Sequence, residues 1–189
     1  MRCGIDEAGR GPLAGPVSAA AVILPEDFDF SILRDSKKLS EKKREDVRKI
    51  IFMSEALWYI GWASNKEIDE INILQATLLA MKRAYSGLFI KYPNLKNENI
   101  DLIIDGNKIP DISACKSITA VTKADDSVYE VMAASILAKT ARDKMMLRYS
   151  WFYPEYGYEK HKGYGTKKHL EAIHTFGKSP LQRNSFAIR

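Results

Sequence analysis

Cys3-Gly4-Ile5-Asp6-Glu7-Ala8-Gly9-Arg10-Gly11-Pro12-Leu13-Ala14-Gly15-Pro16-Val17-Ser18-Ala19-Ala20-Ala21-Val22-Ile23-Leu24 is the stretch on which the fold turns. Residues 17–24 are apolar nearly throughout, which suits a strand covered on both faces. Residues 3–6 read as a second strand, and the glycine- and proline-rich segment 9–16 as the turn between them. The expectation is a hairpin at the centre of a sheet. Two adjacent carboxylates, Asp6 and Glu7, sit where the first strand meets the turn. Side chains alternate across a strand, so a regular strand through both would send them to opposite faces. For the two to act together the strand has to end or distort there, and Gly9 and Gly11 make that credible.

Working outward, Ser40 is a good N-cap for a helix over 41–53, and 58–63 returns as a short strand. Apolar residues at helical spacing predict a helix over 72–92, closed by Pro93. Residues 101–105 form a strand ending in the turn sequence Asp105-Gly106-Asn107, and 117–122 another. A helix over 127–149 has almost no polar side, and Ala133, Ala134 and Ser135 allow it to lie close to the sheet. A polar, aromatic loop follows over 151–166, then a short helix over 167–176. Strands and helices mix without strict alternation, so the expected class is α/β: a mixed sheet with helices on both faces.

The bulk properties set limits on function. A chain of 189 residues fits one domain with its own core, here spanning 1–189 with a short C-terminal helical segment from about 150. Hydrophobic content of 46% against 28% charged residues excludes a disordered chain. A net charge of +5 favours an anionic partner and is equally compatible with plain solubility. Two cysteines, Cys3 and Cys115, have no ligand-like spacing, which argues against a disulfide framework or a zinc site. No apolar run reaches the roughly 18 residues of a membrane span, so the expectation is a cytoplasmic protein with no membrane role.

Four acids fall at predicted strand ends or a helix start: Asp6, Glu7, Asp105 and Asp125, with Asp126 an equal rival for the last on spacing alone. Converging carboxylates repel unless a cation neutralises them. An oxygen-only donor set suits magnesium or manganese, and two such ions support in-line phosphoryl transfer. The bland alternative is four unrelated surface acids. The segment 9–15 reads either as an anion-cradling loop or as a tight turn, and without the Gly-Lys-Ser/Thr ending it is no nucleotide-binding P-loop. Lys37 and Lys38 precede a helix start, where phosphate is also attracted, although a solvated lysine pair is the commoner reading there. Lys139 and Arg142 share a helix face; they meet phosphate or pair with Asp143. The run Tyr158-Glu159-Lys160-His161-Lys162-Gly163-Tyr164-Gly165-Thr166 mixes aromatics, bases and glycine, as suits stacking on nucleic acid. His161, His169 and His174 read as scattered surface residues, with acid–base RNA cleavage as a further option.

Together these segments resemble the type 2 ribonucleases H, specifically the bacterial ribonuclease HII family. The matching pieces are Gly4 to Gly11 with Gly15-Pro16-Val17, Asp35-Ser36-Lys37-Lys38-Leu39, Asp105-Gly106, Lys123-Ala124-Asp125, Ala133-Ala134-Ser135-Ile136 with Ala138-Lys139 and Arg142-Asp143, and His161-Lys162-Gly163-Tyr164-Gly165-Thr166. They keep the family order and span nearly the whole chain. The resemblance implies a ribonuclease H-like fold with a mixed sheet of about five strands. It implies an endonuclease that hydrolyses the RNA strand of RNA–DNA hybrids and the phosphodiester 5′ to single ribonucleotides in duplex DNA, leaving 3′-hydroxyl and 5′-phosphate ends, with Mn²⁺ or Mg²⁺, two ions, as cofactor. Carried over by position, Asp6, Glu7, Asp105 and Asp125 are the metal-binding catalytic acids. Gly9, Arg10 and Gly11 read the 2′-hydroxyl largely through backbone atoms, Tyr164 packs on the neighbouring sugar, and Lys37 contacts phosphate. A monomer is the expected state. The competing readings are a sugar-indifferent two-metal nuclease of the same fold and a catalytically silent hybrid-binding protein. The chain departs from the family pattern at Gln75, where asparagine is frequent, and at Gln182-Arg183, where His-Arg is common.

Overall fold

The structure, a computed structural model, describes residues 1–33, 39–97, 99–113 and 115–187. Five strands, β1 (Arg2–Ala8), β2 (Val17–Ile23), β3 (Leu57–Ala63), β4 (Asp101–Asp105) and β5 (Ser117–Val121), form one sheet in the order β3-β2-β1-β4-β5. β1 pairs antiparallel with β2, which pairs antiparallel with β3; β4 runs parallel to β1, and β5 to β4. The central hairpin and the mixed sheet expected from residues 3–24 are both present.

β1 is longer than the sequence suggested. It neither ends nor distorts at Asp6-Glu7 but stays paired through both, with Asp6 opposite Ala20, Glu7 opposite Ala19 and Ala8 opposite Ser18. Regular alternation therefore holds. Ile5 packs into the core on one face, while Asp6 reaches Ser135 on the other.

All seven residues of β2 are buried, because helices cover both faces. Helix α2 (Asn65–Lys91) packs on one side, in a core that includes Ile5, Ala80, Ala84, Leu88, Leu102 and Ile104. Helices α1 (Glu41–Met53) and α3 (Tyr129–Phe152) close the other over Ala20, Val22, Val47, Ile51, Ala134 and Leu137. Each Val, Leu or Ile side chain so buried contributes roughly 1.5–3 kcal/mol. Close approach is secured by missing side chains. A Cβ on Gly4 would lie 2.3 Å from the backbone of α3 at Glu130, and one on Gly61 would lie 2.1 Å from the Ala80 carbonyl oxygen of α2.

Helix boundaries differ from the sequence reading where capping overrode apolar spacing. α2 starts seven residues earlier than 72, at a capping box in which the Ser64 side chain accepts from Glu67 N–H and Glu67 accepts from Ser64 N–H. Asn72, at φ 66°, kinks the helix where the apolar periodicity begins. α3 runs to Phe152, and the segment after it is not an open loop. A 3-10 turn over Pro154–Tyr156 and the one-turn α4 (Tyr158–His161) lead into α5 (Lys167–Phe176). Tyr156, Tyr158 and Ala172 pack with Ala14, Met146 and Leu181 in a third, smaller core. No described helix is long and apolar enough to cross a membrane.

Candidate active site

Parallel pairing of β1 and β4 aligns Ile5 with Ile104, so the next residues, Asp6 and Asp105, stand side by side at the carboxyl ends of adjacent strands. That end of a parallel pair is where open α/β sheets place ligands. Asp6 is 5% exposed. Burial drives its carboxyl well above the ordinary range, the charges of Glu7 and Asp105 push the same way, and a hydrogen bond with Ser135 acts against them. Its Oδ1 accepts the Glu7 N–H at 2.7 Å. Glu7 projects from the opposite face. Burial raises its carboxyl too, Arg10 opposes the shift, and Asp105 adds to it. Arg10 Nη1 lies 3.3 Å from Glu7 Oε1.

Asp105 thus interacts with both β1 acids, and its Oδ1 accepts the Ala124 N–H at 2.7 Å. This bond anchors a 3-10 turn over Ala124–Asp126, entered through Lys123 in the left-handed region at φ 61°. Asp125 directly follows the anchored residue and is half-buried, whereas Asp126 is exposed. Glu7, Arg10, Asp105, Gly106, Asn107 and Lys108 line one cleft at this end of the sheet. A wider groove between α1 and α3, lined by residues such as Arg44, Asp143, Lys144 and Lys162, does not include the acids.

Three mutually repelling carboxylates of oxygen-only chemistry suit a hard divalent cation. As the side chains stand, no group of three His, Cys, Asp or Glu among the described residues is arranged to hold a metal ion. Asp6 and Glu7 leave β1 on alternate sides, yet their carboxyls still interact directly at the end of the strand. Magnesium does not need a full protein cage; it is commonly held by one or two carboxylates with water and substrate phosphates. The donors present fit such an ion.

The turn after β1 is built against Tyr164. Gly9 has φ +101°, and a Cβ there would fall 2.0 Å from Arg142 Nε. The Gly163 carbonyl accepts from Leu13 N–H at 2.8 Å, and a Cβ on Gly11 would touch the Tyr164 ring at 3.7 Å. Tyr164 is 44% exposed and stands with Lys139 Nζ 5.7 Å from its ring centre. The turn and this aromatic ring therefore form one surface beside the acids.

Residues 3–188 match the family model described as ribonuclease HII. The chain belongs to the ribonuclease HII family. Ribonuclease HII of Treponema denticola is 70% identical over 196 residues, covering 100% of this chain and 99% of that one. That of Neisseria meningitidis serogroup C is 51% identical over 190 residues, covering 99% and 92%. A solved structure of the PCNA:RNase HII complex from Archaeoglobus fulgidus matches with TM-score 0.74 at 26% identity, over 97% of this chain and 92% of that one. Bst-RNase HIII, solved in complex with Mn²⁺, shares the fold at TM-score 0.77 and 19% identity, over 99% of this chain and 67% of that one. As a ribonuclease HII the chain is a ribonuclease H endonuclease, an endoribonuclease acting on RNA–DNA hybrids.

Other expected site residues fall unevenly in this ribonuclease HII. Lys37 lies outside the described residues. Lys139 pairs with Asp143 at 2.9 Å. Arg142, read as sharing a helix face with Lys139 and as meeting phosphate or pairing with Asp143, is instead fully buried. Its Nε, Nη1 and Nη2 donate to the carbonyl oxygens of Pro16, Lys162 and Ala14 at 2.9, 3.0 and 3.1 Å. The aromatic run 158–166 is mostly structural, since Tyr158 and His161 are buried and Tyr164 faces outward. His174 is exposed as expected, but the other two histidines are not scattered surface residues. His161 and His169 are buried and stacked at 4.6 Å. Gly163 N–H donates to His161 Nδ1, so His161 Nε2–H donates to the Tyr156 carbonyl; His169 Nδ1–H donates to the Tyr164 carbonyl. Both are pushed toward the neutral form by burial. They brace the backbone that presents Tyr164.

The contact of Ser135 with Asp6 is not predicted from the sequence. Ser135 was noted for its size, although a lone hydroxyl in an alanine run was the available signal.

Proposed function

We propose that the chain is a divalent-metal-dependent ribonuclease HII that, besides hybrids, cuts duplex DNA on the 5′ side of a single embedded ribonucleotide, leaving 3′-hydroxyl and 5′-phosphate ends. The observation that carries this reading is the shared surface of the Gly9-Arg10-Gly11 turn and Tyr164 against the carboxylate end of β1 and β4. Asp6, Glu7, Asp105 and Asp125 are assigned as the metal-binding catalytic acids, taking Mn²⁺ or Mg²⁺. Two such ions, when bound, supply charge neutralisation and align the attacking water with the leaving oxygen.

The chain's own groups do the rest. The 2′-hydroxyl is the group that distinguishes RNA from DNA at one position. Gly9, Arg10 and Gly11 meet it with backbone atoms, because small residues leave the main chain open to the sugar. Tyr164 offers its exposed ring to the neighbouring sugar, and the neutral His161–His169 stack holds it there. Lys37 is assigned a phosphate contact from the family position alone. The reading extends to one catalytic domain over 1–189, acting as a monomer in the cytoplasm on ribonucleotide-containing duplexes.

The test is cleavage of a labelled DNA duplex carrying one ribonucleotide, with Mg²⁺, Mn²⁺ or EDTA, beside an all-DNA duplex and the Asp105→Asn variant. The expected result is a metal-dependent cut 5′ to the ribonucleotide, absent from the all-DNA duplex and the variant. Equal cutting of all-DNA duplex would point to a sugar-indifferent nuclease, and binding without cutting to a silent binder.

A further inference from the structure

Arg183 is a fully buried guanidinium. Among the described residues it has no carboxylate within salt-bridge reach. Four of its five N–H donors go to main-chain oxygens of one turn. Nη2 donates to the Gly9 carbonyl at 2.6 Å and the Pro16 carbonyl at 3.2 Å, Nη1 to the Arg10 carbonyl at 3.0 Å, and Nε to the Gly15 carbonyl at 2.9 Å. Phe186 lies 5.1 Å beneath it. A buried charge is costly unless its hydrogen bonds are complete, and here a second buried guanidinium, Arg142, repels it. An apolar residue could fill such a site more cheaply, so the arrangement calls for what the donors do.

Planarity of the peptide bond supplies the answer. In a trans peptide the C=O of one residue and the N–H of the next point in opposite directions. Turning the Gly9 and Arg10 carbonyls inward to Arg183 aims the Arg10 and Gly11 N–H groups outward, on the surface shared with Tyr164. Neither of these amides has a backbone acceptor outside the sheet among the described residues. We propose that Arg183 is a positioning residue for sugar discrimination, setting the Gly9–Arg10 and Arg10–Gly11 peptide planes so that their N–H groups meet the 2′-oxygen.

The guanidinium is aimed in turn by α2. Asp69 accepts from Asn184 N–H, Ser185 N–H and the Ser185 hydroxyl at 2.9, 2.8 and 2.7 Å, and Asn65 Nδ2 donates to the Pro180 and Gln182 carbonyls. The capped first turns of α2, absent from the sequence reading, thereby reach the sugar-reading turn through Arg183.

This inference rests on the proposed sugar reading, and its test separates the two. Dissociation constants are measured in EDTA at one salt concentration, by fluorescence anisotropy, for a DNA duplex with one ribonucleotide and for the same duplex all-deoxy. The proteins are the wild type, Arg183→Lys and Asp69→Ala. The ratio of the two constants does not depend on how much of each preparation is folded. Wild type is expected to favour the ribonucleotide duplex about ten-fold, the worth of hydrogen bonds to one hydroxyl. Arg183→Lys, whose single ammonium cannot span four carbonyls, is expected to bring the ratio close to one. Asp69→Ala should fall between. A wild-type ratio of one overturns the sugar reading and this inference with it. A clear wild-type preference retained by a folded Arg183→Lys overturns the inference alone. Should Arg183→Lys not fold, an unchanged ratio in Asp69→Ala overturns it.

Discussion

Replacing Asp6 by asparagine is expected to stabilise the protein while abolishing cleavage. Asp6 is nearly inaccessible, and burial, Glu7 and Asp105 all raise its carboxyl above the ordinary value of 3.8. A carboxyl raised in the folded state binds its proton more tightly there than in the unfolded chain. Below pH 3.8 both states are protonated and the site costs nothing. As pH climbs past 3.8, the unfolded chain ionises first, and native stability drains until the folded carboxyl has also ionised; beyond that the penalty is constant. Asparagine never carries the charge, retains an oxygen for the Glu7 N–H and keeps the side-chain volume. Relieving an active-site penalty of this type gains about 0.5–2 kcal/mol, and one kcal/mol moves Tm by roughly 2–4 °C in a chain of this size. Melting of wild type and Asp6→Asn in EDTA should therefore show curves that nearly coincide near pH 4 and separate as pH rises, the variant melting about 2–6 °C higher at the plateau. Added Mn²⁺ should raise the wild type and leave the variant almost unmoved, closing the gap. A variant that melts lower than wild type at neutral pH, or a gap that does not depend on pH, would refute the account of Asp6 as a strained buried charge.

Three further outcomes follow from the same geometry. Ser135→Ala removes the hydrogen bond that opposes the Asp6 shift, so the acidic limb of the rate profile should move to higher pH while the rate on the alkaline plateau stays near wild type. Gly9→Ala places a methyl into Arg142 at a positive φ; a loss of about 1–3 kcal/mol in urea unfolding is expected, with cleavage falling further than stability. Proton NMR of the imidazoles should find His161 and His169 titrating below 6.5, since burial disfavours both cations. Their depressed values mean that stability is lost as pH falls through 6.5, when the unfolded chain takes up protons that the folded one refuses.

Much of this architecture was legible because one physical rule decided each piece. The run 17–24, apolar but for Ser18, announced a strand buried on both faces, and the alanines of α3 announced a helix lying close above it. The capping box at Ser64-Asn65-Lys66-Glu67 was equally legible and outweighed the apolar spacing that begins at Ile73, which is why α2 starts where it does. The acids at strand ends were visible as residues. Their relation was not, because the register aligning Asp6 with Asp105 is a long-range property of two parallel strands. The same limit applies to His161 and His169, eight residues apart with unlike neighbours, and to Arg142, whose side chain looks like any helical cation until the carbonyls of 14, 16 and 162 surround it. Burial of a charged group is set by what arrives from elsewhere in the chain.

The bonds from Arg183 to Gly9 and Arg10 join residues 174 and 173 positions apart. During synthesis the turn that begins near residue 9 leaves the ribosome well before its clasp at Arg183 emerges. Closing so wide a loop costs entropy that local contacts cannot offset. The central hairpin and α2 can pack first, but the turn over residues 9–16 is expected to set last. A partly made chain therefore carries Asp6 and Glu7 on a hairpin whose following turn is still unclasped.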